Sequence, residues 1–243
     1  MILRAKLSVF ALALLAGVSC MNTAFAVSVP LSFVTLTGVT GGSPAGTTVF
    51  RADLSGLAIT SILSITLQDT SGGVGGSPGK FSGFDLDAIK LATSSVGTAA
   101  LASSLVGLSV FDFSTAGTLF TPGTQRPPAD PALFGTSGGA INNAVATLGS
   151  FDGNSTTGAT ANGFASLGDG GIVTFNLTSA VLPAGNFLYF GEVGGNGETI
   201  SGNITVSDQR VPTVPEPATI LLFGTGLAAA ILWRSRKSAY SFR

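Results

Sequence analysis

Residues 168–177 read Gly-Asp-Gly-Gly-Ile-Val-Thr-Phe-Asn-Leu, a glycine-rich turn that leads into alternating side chains. Successive side chains of a β-strand point to opposite faces, so Val173, Phe175 and Leu177 would share one face. An apolar period of two after a glycine turn is typical of a half-buried strand. The segment therefore predicts a strand with one face toward a core.

Similar segments recur on both sides of this one, and glycine-rich turns separate most of them. They are residues 27–37, 47–54, 62–67, 84–91, 105–113, 187–193 and 199–206. About eight short strands joined by glycine turns predict an all-β domain built as an antiparallel β-sandwich or jelly-roll.

Residues 114–169 fit this scheme poorly, because they contain four prolines and few strand signals. A loop of this length is unusual inside a compact domain. Ile141, Val145 and Leu148 fall at helical spacing, which indicates a short helix near 139–149. We expect the rest to run over the sandwich, with a short hairpin as the alternative.

The N-terminus has the three parts of a secretory signal peptide. Two basic residues within the first six positions precede an apolar run at 7–18, and Ala24 and Ala26 then form a small-x-small cleavage site. We expect cleavage after Ala26, so that residues 1–26 are removed and the mature chain begins at Val27. The expected partners are the Sec translocon and signal peptidase, and the expected route is export through the inner membrane.

Cys20 leaves one alternative open, since a lipidated cysteine follows a short apolar and small-residue motif. Gly17 stands where that motif usually has leucine. If cleavage follows Ala26, the only cysteine leaves with the signal peptide. Disulfides would then contribute nothing to the exported domain.

The exported domain, predicted to span residues 27–211, is acidic. It has five basic residues against eleven acidic ones, a net charge of −6. Binding to phosphate groups depends on clustered lysine and arginine, so this composition argues against nucleic acid as a partner.

The C-terminus carries a proline-rich turn, an apolar run and a basic cluster in that order. The turn is Val214-Pro215-Glu216-Pro217, the apolar run covers 218–233, and Arg234, Arg236 and Lys237 follow it. The prolines predict a stiff extended turn. As a helix the apolar run would rise about 24 Å, which is short of a hydrocarbon core of about 30 Å. We predict one transmembrane helix with residues 238–243 as a cytoplasmic tail.

Residues 212–237 resemble the PEP-CTERM sorting signal of Gram-negative bacteria. The resemblance implies that an exosortase, a membrane-embedded cysteine transpeptidase, recognises the Pro-Glu-Pro motif while the protein is held transiently in the inner membrane. It implies a final location at the cell surface or in the extracellular matrix. A permanent membrane anchor is the alternative. Residues 83–89 and 164–175 are also similar to segments of secreted PEP-CTERM β-proteins, a resemblance of fold with no activity attached.

Catalytic residue types are scarce in the sequence. The chain contains no histidine, which removes Ser-His-Asp and Cys-His catalysis and most zinc and copper sites. Glu192 and Glu198 are the two glutamates of the exported domain, and only a carboxylate-based hydrolase would use them. We therefore predict no catalytic residues and no enzymatic activity.

Asp85 and Asp87 form the most suggestive polar pair. With Phe84 and Leu86 pointing inward, the two carboxylates would share the outer face of a strand, about 6.6 Å apart. Asp112 is expected to join them from another strand and complete an oxygen-rich calcium site. The alternative is a solvated outer face without a bound ion, and no other cofactor is predicted.

These features predict a non-enzymatic protein of the cell surface or the exopolysaccharide layer, such as a biofilm matrix. The first alternative is a calcium-dependent, lectin-like carbohydrate-binding module on the Asp85 and Asp87 face. An ice-binding surface is the second alternative, and it would need regular ranks of threonine beyond Thr35 and Thr37.

Overall fold

The computed structural model describes residues 26–155, 162–194 and 203–212. The strands in these ranges are β1 Ser28–Pro30, β2 Val34–Thr40, β3 Pro44–Ala45, β4 Thr47–Asp53, β5 Ile62–Gln68, β6 Asp85–Ala92, β7 Thr118–Thr121, β8 Thr136–Ser137, β9 Ala140–Ile141, β10 Asn154–Ser155, β11 Ala165–Ser166, β12 Ile172–Val181, β13 Phe187–Val193 and β14 Ile204–Ser207. The helices are a 3-10 helix Gly79–Phe81, α1 Ala99–Ser104 and α2 Asn143–Ala146.

Two five-stranded antiparallel sheets dominate the described part of the chain. Sheet 1 has the order β1-β14-β5-β12-β7, and sheet 2 has the order β11-β6-β13-β4-β2. From β4 to β7, and again from β11 to β14, consecutive long strands alternate between the two sheets. The predicted all-β antiparallel class is confirmed.

Side chains from both sheets form one hydrophobic core. Val173, Phe175 and Leu177 of β12 are fully buried there, as the period of two predicts. Leu188 and Phe190 of β13, in sheet 2, belong to the same cluster. Each such side chain contributes about 1.5–3 kcal/mol when it leaves water, so the central strands hold the two sheets together.

A second, smaller cluster covers the other face of sheet 2. It contains Ala88 of β6, Tyr189 of β13, Phe151 and two alanines of α1. Helix α1 begins at Thr98, whose hydroxyl accepts a hydrogen bond from the Leu101 N–H at 3.3 Å, an ordinary N-cap. Because of this cover, β6 and β13 are buried on both faces.

Residues 105–113 do not form the predicted strand. They cross the edge of the core as a loop, in which Val110 is buried and Phe111 and Phe113 pack against the main cluster. The apolar side chains of this segment therefore reflect packing on the core and not strand pairing. Phe111 is joined to Leu177 only by an isolated bridge. A short apolar run does not by itself distinguish a strand from a loop that packs on a core.

The predicted helix near 139–149 is much shorter than expected. It is reduced to α2, which begins after Asn142 and ends at Thr147 in the left-handed conformation. The alternative hairpin exists beside it as the pair β8 and β9. The remaining part of 114–169 adds edge strands to the sheets, β7 to sheet 1 and β11 to sheet 2.

Several predictions fall on residues outside the described ranges. These are the signal peptide up to residue 25, the start of the predicted strand 199–206, and the apolar run 218–233 with its basic end. No helix in the described ranges has the length and apolar character needed to cross a membrane.

Candidate functional site

Asp85 and Asp87 lie on β6 and are buried, with 5% and 0% of their surfaces exposed. The prediction of a solvated outer face is therefore wrong. The two side chains do point away from Leu86 and the main core, but α1 and the segment around Phe151 cover that face of sheet 2. Strand alternation predicts the face of a side chain and leaves open what covers that face.

Asp87 accepts two hydrogen bonds from distant parts of the chain. The Thr47 hydroxyl donates to its Oδ2, and the Gly153 N–H donates to its Oδ1 at 3.0 Å. Burial raises the pKa of Asp87 to about 7, and the nearby Asp152 carboxylate adds to the rise. A carboxyl group in such a place carries its proton through the mildly acidic range.

Asp152 is half-buried next to Asp87 and accepts a hydrogen bond from the Thr147 hydroxyl at 3.0 Å. Burial also raises the pKa of Asp152. Lys90 lies on the same strand as Asp87, and its Nζ donates to the Ser103 carbonyl at 3.0 Å. Burial lowers the pKa of Lys90. Asp87 and Asp152 therefore form an acid pair whose carboxyl groups are hydrogen-bonded within the fold rather than open to a ligand.

Asp85 and Glu192 lie next to this pair in sheet 2. Asp85 accepts a hydrogen bond from the Ser166 hydroxyl of β11. Glu192 lies on β13 opposite Leu86 and is 2% exposed. Glu198, its proposed catalytic partner, lies outside the described ranges.

Asp112 is placed apart from Asp85 and Asp87. It lies in the loop before β7, where its carboxylate accepts the Ser114 N–H at 2.9 Å, and the hydrogen bonds from Ser114 lower its pKa. The structure does not bring the three predicted calcium ligands together. Within the described ranges, no group of three acidic or cysteine side chains is placed to hold a metal ion.

Asp112 instead lines an open cleft of about 580 Å³ on sheet 1, together with Asn176, Arg210 and Val211. The Asn176 amide makes two hydrogen bonds with the backbone of Val211, one in each direction, at 2.7 and 2.8 Å. These contacts fix the last described residues of the chain. Sequence reasoning missed them, because the two partners lie 35 positions apart and no local pattern links them.

The predicted cleavage site is at the same end of the domain. Ala26 and Val27 are exposed, whereas Ala24 lies outside the described ranges. The Val27 N–H donates to Asp208 Oδ1 at 2.9 Å, and the Asp208 N–H donates to the Val27 carbonyl at 3.3 Å. The start of the predicted mature chain and its C-terminal exit are therefore neighbours.

The sorting residues Val214 to Pro217, with Arg234, Arg236 and Lys237, lie outside the described ranges, and their assignment depends on comparison. No curated protein and no solved structure matches the chain. Residues 213–237 match the family model described as the PEP-CTERM protein-sorting motif. This confirms the resemblance, and the motif implies processing by an exosortase and export to the cell envelope or surface. The chain is thus a carrier of a PEP-CTERM sorting signal, which begins one residue after the described domain ends.

Proposed function

We propose that the domain is a non-enzymatic component of the cell surface or of the extracellular polysaccharide layer, delivered there by its C-terminal signal. The observation that carries the proposal is the sorting motif at 213–237, which follows the β-domain directly. We also infer that the two sheets pack face to face as a jelly-roll-like sandwich. The core shared by both sheets and the alternation of strands between them support this arrangement.

The way the acidic groups are used supports a structural role. Asp69 is buried and accepts hydrogen bonds from the Phe84 N–H at 3.1 Å and the Gly170 N–H at 2.9 Å. Asp85 and Asp87 are bonded to the fold in the same manner. These carboxyl groups are engaged in hydrogen bonds within the fold, whereas a hydrolase would need a pair of them flanking a bound substrate.

Deleting residues 213–237 tests the proposal. We expect the truncated protein to lose its cell-surface or matrix location and to be released or retained elsewhere, as measured by fractionation and immunodetection in the native host. Deletion of residues 238–243 is the control, because it shortens the same end outside the matched motif. An unchanged distribution after the larger deletion, or a wild-type chain whose intact mass shows an unprocessed C-terminus, would contradict the proposal.

The alternatives have weaker support. A calcium-dependent lectin was expected to use Asp85 and Asp87, which are buried. Calorimetry with calcium and with a glycan panel would reveal such binding. For ice binding, Thr35 and Thr37 are exposed on the edge strand β2. Thr35 faces Phe50 across the ladder, and Thr37 meets Thr98 only through an isolated bridge, so these contacts do not form a regular threonine array. For a hydrolase, substitution of Glu192 would have to abolish a measured hydrolysis.

A further inference from the structure

Residues 208–212, here called the strap, are fastened along sheet 1 after β14 ends. The Ser64 hydroxyl donates to the Gln209 carbonyl at 2.7 Å, and the Asn176 amide holds both backbone groups of Val211. Ser64 and Asn176 alternate with core residues of their strands, so the strap lies on the face of sheet 1 that points away from the core. The Asn176 side chain is 7% exposed beneath the strap.

Arg210 adds a second attachment from the strap side. Its Nε donates to the Leu177 carbonyl at 2.8 Å, and a terminal guanidinium nitrogen donates to the Thr178 carbonyl at 2.9 Å. These carbonyls belong to the part of β12 where its pairing with β5 is irregular. Arg210 therefore occupies backbone acceptors of β12 and ties the strap to this strand.

Only a few residues separate the end of the strap, at Pro212, from Glu216 of the sorting motif. The match begins at residue 213, and Glu216 lies four residues beyond Pro212. Four fully extended residues reach about 14 Å. A folded chain of this domain's length has a radius of gyration of about 16 Å. While the strap is docked, the distance from Pro212 to Glu216 is at most about one radius of the domain. An enzyme that acts at Glu216 must therefore approach the folded domain closely.

We propose that the strap limits the reach of the sorting motif, and that Asn176 and Arg210 are positioning residues for the sorting reaction. Docking limits Glu216 to within about 14 Å of Pro212, so the folded domain obstructs the processing enzyme. Release of the strap adds five residues, or about 17 Å of chain, and lets the enzyme approach. The inference rests on the proposed function, because it concerns the rate at which the same signal is processed.

The test follows C-terminal processing of the full-length chain in its native host, by pulse-chase labelling and intact mass. Asn176→Ala removes two hydrogen bonds from the strap and should speed processing at least about fivefold, the factor that corresponds to roughly 1 kcal/mol, the lower limit for two lost bonds. Arg210→Ala should act in the same direction. Asn186→Ala is the matched control: Asn186 is also buried, but its amide donates to the Leu182 carbonyl in the turn between β12 and β13.

A flexible insertion distinguishes an effect of chain length near the motif from an effect of general destabilisation of the domain. About ten Gly and Ser residues placed between Pro212 and Thr213 lengthen the connection by some 17 Å on average and leave the strap intact. We expect this insertion to speed processing by itself, and Asn176→Ala to add nothing in that background. Equal acceleration by Asn186→Ala, or unchanged or slower processing with Asn176→Ala, would overturn the inference. If the wild-type chain is never processed at its C-terminus, the proposed function fails first, and this inference fails with it.

Discussion

Gly83→Ala should destabilise the domain by about 3 kcal/mol or more, because the added methyl group meets both a strained backbone conformation and a collision. Gly83 has a φ of +73°, and a Cβ there would lie 2.3 Å from the carbonyl carbon and oxygen of Gly168. The contact is between backbones, since the Gly168 N–H donates to the Ser82 carbonyl at 2.8 Å. Neither backbone can move without breaking the attachment of β11 to β6.

Two control variants separate the causes of this loss. Gly170 has nearly the same conformation, with a φ of +77°, but a Cβ there meets no atom within 4 Å. Gly170→Ala should therefore cost only the conformational strain, about 1–2 kcal/mol. Gly56 has open space and is not in the left-handed region, so Gly56→Ala should change stability by less than about 1 kcal/mol. Chemical denaturation of the exported proteins measures all three, and equal losses for Gly83→Ala and Gly170→Ala would contradict the predicted collision.

Asp87→Asn should make the domain more stable at pH 8, by up to about 4 kcal/mol, and leave its stability near pH 4 almost unchanged. The pKa of Asp87 is raised to about 7 in the folded state, mainly by burial. In the unfolded chain the same carboxyl titrates near its ordinary value of 3.8. The folded state therefore holds the proton more tightly, and this contribution to stability is lost as the pH rises from about 4 to about 7.

Asparagine imitates the protonated carboxyl group at every pH. Its oxygen accepts the Gly153 N–H, and its amide donates to the Thr47 hydroxyl. The wild-type protein should lose stability across this pH window, and the variant should lose much less, with a residual slope from Asp152, whose pKa is raised by the same cause.

The control for this experiment is Asp53→Asn. The pKa of Asp53 is lowered, chiefly by the Ser55 N–H that donates to it at 2.9 Å. Its contribution to stability is present above the unfolded pKa and is lost as the pH falls, which is the opposite dependence. Because this loss occurs below the ordinary value of 3.8, Asp53→Asn should keep the wild-type slope in denaturant titrations at pH 4.5, 6 and 8, whereas Asp87→Asn should flatten it. Identical pH slopes for Asp87→Asn and the wild-type protein would show that Asp87 does not retain its proton on folding.

Local sequence patterns were sufficient to predict the central strand of the core. The alternation in residues 172–177 predicted a strand with one buried face, and Val173, Phe175 and Leu177 are buried on that face. The pattern could not reveal that Thr174 and Asn176, on the opposite face, are also mostly buried at 7% exposure. Asn176 is covered by the strap, which lies more than thirty residues along the chain, and Thr174 is paired with the Thr66 hydroxyl of β5.

The acidic residues show the same limit. Asp85 and Asp87 were assigned to the correct side of β6, but their burial involves Ser166 and Gly153, which contact them from elsewhere in the sequence. The sorting signal, in contrast, was found from the sequence alone. The match is to one contiguous stretch of sequence, so finding it did not require knowledge of how the chain folds.

The contact between Val27 and Asp208 has a consequence for the end segments of the chain. A polypeptide whose two ends emerge side by side can be held by both of them in one bilayer without being stretched across its own width. If the predicted signal peptide and the predicted C-terminal apolar run both enter the membrane, the domain can therefore stay folded between them.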